Sequence, residues 1–127
     1  MGALLLVLSF ALGACGDDGP RSRGTDADRL GVGAACASDA QCGEGQVCLA
    51  FKEGYCGIED CQADSDCPLG SACVAHTDGS NYCFLLCSNK PDCNINRSVD
   101  GEANCVSSIV FVESEVGHSK ACEPPSG

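Results

Sequence analysis

Tryptophan is absent from this 127-residue chain, methionine occurs once, and aromatic residues make up only 5% of it. Large apolar side chains beyond the N-terminal segment are few, with Leu49, Phe51, Ile58, Leu69, Val74, Phe84, Leu85 and the run Ile109 to Val112 the main ones. So little apolar material excludes burial alone as the source of stability for units a few dozen residues long. Basic residues are also scarce and scattered: seven Lys and Arg stand against eighteen Asp and Glu, for a formal net charge of −11. That balance excludes nucleic acid, whose phosphates need clustered cations. It also disfavours anionic lipid surfaces and is read as a solvated surface that keeps a small domain soluble. Divalent cations are left as weak partners. No G-x-S-x-G, Walker-type loop or H-E-x-x-H occurs, and no C-x-x-C, so the usual hydrolase, nucleotide, metalloprotease and thioredoxin-type signatures are missing. No window keeps a 3.6-residue apolar period, which predicts little helix beyond the N-terminal segment.

Cysteine is what the chain has in quantity. Of thirteen, the last twelve fall into three groups of four: Cys36, Cys42, Cys48, Cys56; Cys61, Cys67, Cys73, Cys83; and Cys87, Cys93, Cys105, Cys122. The first two intervals of groups one and two are identical, and group three keeps the first and stretches the rest. Other residues repeat in register. Gly45 and Gly70 precede the third cysteine by three, Leu49, Val74 and Val106 follow it, and Tyr55 and Tyr82 precede the fourth. Asp66 and Asp92 precede the second cysteine, and Asp39 and Asp64 lie two places earlier than that slot. A repeat of this kind marks tandem small units. A disulfide scaffold supplies what the core lacks, at about 3 kcal/mol for a bridge closing a dozen residues. Spacing alone leaves three connectivities open in each unit. The expected fold is therefore small and disulfide-rich: three tandem four-cysteine units (36–56, 61–83 and 87–122) of short β-strands and turns. Residues 123–127 read as a short tail.

Cys15 stands outside the repeats. Ala3 to Ala14 is an apolar stretch of about twelve residues, the length of a signal-peptide core and too short to cross a bilayer comfortably. Leu12-Gly13-Ala14-Cys15 resembles the lipobox of bacterial lipoproteins. The resemblance implies a signal peptide over 1–14, cleavage before Cys15, and acylation of Cys15 as a membrane anchor. Residues 1–14 carry no Lys or Arg, so the basic start that a signal normally has is expected upstream of Met1. Gly16 to Ala35 is dominated by Gly, Asp, Arg and Pro, and residues 15–35 read as the lipidated cysteine and a flexible tether. Gly16, not an aspartate, follows Cys15, which by the same resemblance implies the outer membrane, facing periplasm or exterior.

The motif C-x-x-D-x-D-C-x-x-G-x-x-C at Cys61 to Cys73 is similar to the N-terminal cysteine-rich domain of Dickkopf proteins and, more loosely, to colipase. It also looks like cysteine-rich lipoproteins of some Gram-negative bacteria. The resemblance covers Cys36 to Cys83 well and Cys87 to Cys122 loosely; colipase's adjacent cysteine pair is missing. In the colipase-like pattern first pairs with third and second with fourth. Carried over, this implies Cys36–Cys48, Cys42–Cys56, Cys61–Cys73, Cys67–Cys83, Cys87–Cys105 and Cys93–Cys122. Dickkopf and colipase are extracellular binders, so the resemblance implies an interaction or structural module without enzymatic activity or cofactor. Its partner would be a protein or glycan. The alternative is a secreted inhibitor or colipase-like accessory module for a hydrolase.

Chemistry-bearing residues outside the cysteines give little. His76 and His118 lie in polar stretches and read as solvated side chains, since no orienting triad can be named. Asn96-Arg97-Ser98-Val99-Asp100-Gly101 places oxygen side chains at alternate positions before a glycine, as a calcium loop does. Ser107 stands where the closing glutamate belongs, so the stretch reads as a polar insertion loop and no metal site is expected. Asp64-Ser65-Asp66 is expected to cap local turns. Tyr55 and Tyr82 are expected to cover their own disulfides, and Val106 to Glu113 reads as one β-branched strand.

Overall fold

The computed structural model describes residues 26–126; Cys15, the signal-like segment and the first part of the tether lie outside the described residues. The fold is small and disulfide-rich, with short strands and two short helices. Each unit follows one plan, and the repeated residues account for it. A turn carrying the first two cysteines precedes a hairpin that holds the third and fourth. In unit one the hairpin is β1 (Val47–Leu49) and β2 (Tyr55–Gly57), with Cys48 opposite Cys56. Unit two has β3 (Ser71–Ala75) and β4 (Asn81–Leu85), with Cys73 opposite Cys83. Unit three has β5 (Asn104–Val106) and β7 (Ala121–Glu123), with Cys105 opposite Cys122, β6 (Val110–Phe111) lying between them in sequence.

The bridges join first to third and second to fourth cysteine in every unit: Cys36–Cys48, Cys42–Cys56, Cys61–Cys73, Cys67–Cys83, Cys87–Cys105 and Cys93–Cys122. Cα separations of 5.3–6.0 Å suit bridging without backbone movement. The repeated acids hold the turns. Asp39 and Asp64 accept the amide N–H of the third cysteine, Cys48 at 2.8 Å and Cys73 at 3.0 Å. Asp66 and Asp92 reach back to amides four residues earlier, Gln62 at 2.8 Å and Ser88 at 2.9 Å. Gln41 occupies the same place in unit one and accepts from Ala37 at 2.6 Å. Unit three forms a short helix there, α2 (Lys90–Cys93); the other short helix, α1 (Asp26–Leu30), precedes unit one. At Gly54, φ is +72° and an added Cβ would fall 2.0 Å from the Cys36 carbonyl oxygen, so only glycine fits the turn beside the first bridge.

The units are not independent beads. One buried cluster runs through all three, including Leu49 and Tyr55 of unit one, Val74, Phe84 and Leu85 of unit two, and Ala103, Ala121 and Cys122 of unit three. A smaller cluster surrounds Cys61, Cys73 and Cys83 under Ile58 and Val112. The strand expected over 106–113 is broken. β5 pairs with β7, whereas β6 crosses to pair antiparallel with β3, giving the order β4-β3-β6. A chain that leaves one sheet to join another has to turn between them, and Ser107 to Ile109 make that turn. The stretched interval of unit three thus wraps unit two, with the Val112 N–H donating to the Cys73 carbonyl at 3.0 Å.

The tether ends earlier than composition implies. Residues 26–35 are folded onto the domain: Ala27 and Val32 are buried, the Ala27 N–H donates to Leu69, and Gly33 and Ala34 exchange backbone hydrogen bonds with Cys56 at 2.8 and 2.9 Å. Glycine and small residues read as flexible by composition here allow the chain to lie against β2. Likewise Glu123, placed in the tail, closes β7 opposite Asn104.

Candidate functional site

The side chain that ties unit three to unit one and to the segment before it is Arg97. Its guanidinium donates to the carbonyls of Gly101 at 2.5 Å, Gly33 at 3.1 Å, Gly54 at 2.7 Å and Lys52 at 3.0 Å. It also lies 5.7 Å from the Tyr55 ring centroid. The stretch that resembles a calcium loop is therefore wound around a cation of its own. Partial burial lowers the Arg97 pKa, with the Tyr55 and Glu53 charges opposing that.

Tyr55 is fully buried and does not simply cover its own disulfide. Its hydroxyl donates to the Cys122 carbonyl at 2.9 Å and accepts from the Leu85 N–H at 3.1 Å, so one phenol joins three units. Burial pushes its pKa well above the usual tyrosine value, against smaller lowering effects from the Leu85 hydrogen bond and Arg97. Tyr82 donates to Asp78 at 2.7 Å. That bond, with the Ser80 N–H, holds the Asp78 carboxyl below the usual range, and partial burial followed by the Asp78 bond raises Tyr82.

Neither histidine is simply solvated. The His118 ring nitrogen Nε2 meets Asp64 Oδ2 at 2.8 Å, and the ring packs on Phe111 at 5.2 Å. Asp64 also donates its N–H to Glu113. These contacts strap the insertion of unit three to the first turn of unit two, and among the described residues no hydroxyl or thiol is bonded to the His118 ring to form a nucleophile pair. Asp64 so serves both the local turn and this strap. His76 joins a ring cluster with Phe51 at 5.4 Å, Tyr82 at 5.8 Å and Phe84 at 5.5 Å. Its Nδ1 is buried with no hydrogen-bond partner among the described residues.

Beside that cluster opens a cleft of about 410 Å³, floored by Phe51 and His76 and edged by Thr77, Asp78, Glu123 and Ser126. All three units meet there, at the end of β1, the β3–β4 turn and the end of β7. Two other clefts, of about 560 and 370 Å³, flank α1 near Leu30 and near Leu86. In each unit the sulfurs of the first, second and fourth cysteines lie within 4.8 Å of one another, a consequence of adjacent bridges; as disulfides they offer no thiolate. Cys15 lies outside the described residues. Sequence reasoning missed Arg97 and the cleft, whose contacts join residues up to 64 apart in the chain and leave no local pattern. No family model, curated protein or solved structure matches the chain.

Proposed function

We propose that the chain is a membrane-anchored, disulfide-stabilised lipoprotein of the cell envelope that acts outside the cytoplasm as an interaction module, not as an enzyme. The observation that carries this reading is the complete pairing of cysteines 36 to 122 in six bridges, which leaves Cys15 as the one thiol free for acylation. Bridges in this number suit an oxidising compartment. The rigid, loop-rich surface suits binding, because loops held by cross-links keep their shape without the entropy cost of ordering at contact.

The test is the intact mass of the native protein extracted from membranes, non-reduced, with and without thiol alkylation. A chain beginning at acylated Cys15, lighter by two hydrogens for each of six bridges and without an alkylatable thiol, is expected. A lipid-free mass refutes the anchor. A pull-down under oxidising conditions that recovers neither protein nor glycan refutes the interaction module.

A further inference from the structure

We infer that the cleft between Phe51, His76, Asp78 and Glu123 is a binding site for an arginine side chain of a basic protein partner. The inference rests on the interaction reading above and names the partner's chemistry.

Three observations converge on it. The cleft, about 410 Å³, is of the size that takes one or two side chains. Its floor is aromatic, and a guanidinium stacks favourably on such faces; the protein already holds Arg97 against Tyr55 in this way. Its rim carries two carboxylates. Asp78 is exposed, and its bonds from Tyr82 and Ser80 hold its carboxyl below the usual range. Glu123 takes part in no ion pair among the described residues. Glu59, beside Tyr82 across a β-bridge, adds a third negative charge nearby. A planar fork fits two carboxylates and a ring better than a lysine ammonium does. The chain as a whole, at −11, draws basic partners toward the cleft.

The test uses the full chain with its disulfides intact, titrated by NMR with a blocked Gly-Arg-Gly peptide and with the same peptide carrying neutral citrulline. Shifts centred on Phe51, His76, Thr77, Asp78 and Glu123, with the arginine peptide alone, are expected. Asp78→Asn with Glu123→Gln is expected to weaken binding at least tenfold, while the charge-matched pair Glu44→Gln with Asp100→Asn leaves it within twofold. Asp78→Asn keeps one acceptor oxygen and gives up one of the two bonds from Tyr82 and Ser80; Glu123→Gln alone, which removes no hydrogen bond among the described residues, therefore serves as the second variant. Equal weakening by both pairs means attraction to bulk charge only and overturns the site, as does equal binding of citrulline. If the arginine peptide fails while an oxidising pull-down still recovers a partner, the inference falls and the interaction reading stands.

Discussion

Replacing Arg97 tests whether polar contacts hold unit three against unit one and the segment before it, since every bridge closes within a single unit. Arg97→Ala removes four hydrogen bonds from a guanidinium to carbonyls on separate segments. A hydrogen bond to a charged group contributes about 1.5–3 kcal/mol, and less where water can replace it. Arg97 is half-buried and its bonds share one side chain, so the four do not add. The expected loss is about 3 kcal/mol, a large fraction of the 5–15 kcal/mol typical of a domain. Arg97→Lys keeps the charge but has its donors on one nitrogen, which cannot span four carbonyls; it is expected to lose about 2 kcal/mol. The assay is urea unfolding with disulfides oxidised, where a slope of about 1–2 kcal/mol/M turns 3 kcal/mol into a midpoint shift of about 1.5–3 M. Both variants falling within about 0.5 kcal/mol of the parent would refute the reasoning, because surface changes reach that size without any hub.

Two further predictions concern Tyr55. Tyr55→Phe leaves the buried Leu85 N–H and Cys122 carbonyl without the hydroxyl that joins them; a loss of about 2–3 kcal/mol by urea unfolding is expected, with bridges and backbone unchanged. Alkaline pH acts on the same group. The folded pKa lies above the usual tyrosine value of about 10, so the neutral phenol adds stability that is fully present below that value and lost as pH rises beyond it. Unfolding midpoints measured from about pH 8 to 11 are expected to fall steeply only above pH 10, and Tyr55→Phe is expected to flatten that fall.

The repeat explains which parts of the fold were legible. Asp39, Asp64, Asp66 and Asp92 recur because each turn needs a carboxylate to accept amides beside its cysteines, a contact spanning fewer than ten residues. Local bonds of that kind leave a periodic trace. Residues 26–35 and 106–113 were less legible for the opposite reason. Their conformations depend on distant partners: Leu69 for Ala27, Cys56 for Gly33, and β3 for β6. Composition cannot report a contact made across the fold, so a glycine-rich run looks like a tether and a β-branched run like one strand. The histidines follow the same rule, since His118 meets Asp64 at a separation of 54 residues.

By itself the sequence determined a disulfide-rich chain of three short units, because twelve cysteines at repeated intervals admit few other stable forms when apolar side chains are scarce. It left the connectivity open among three pairings per unit. Packing in three dimensions decided that Tyr55 would join all three units, that Arg97 would join units one and three, and that the long interval of unit three would add a strand to unit two. It alone formed the acidic, aromatic cleft from three separate segments of the chain. Such decisions depend on which buried polar groups find partners when the units pack, and that is settled by distances in space, not by neighbours in the chain.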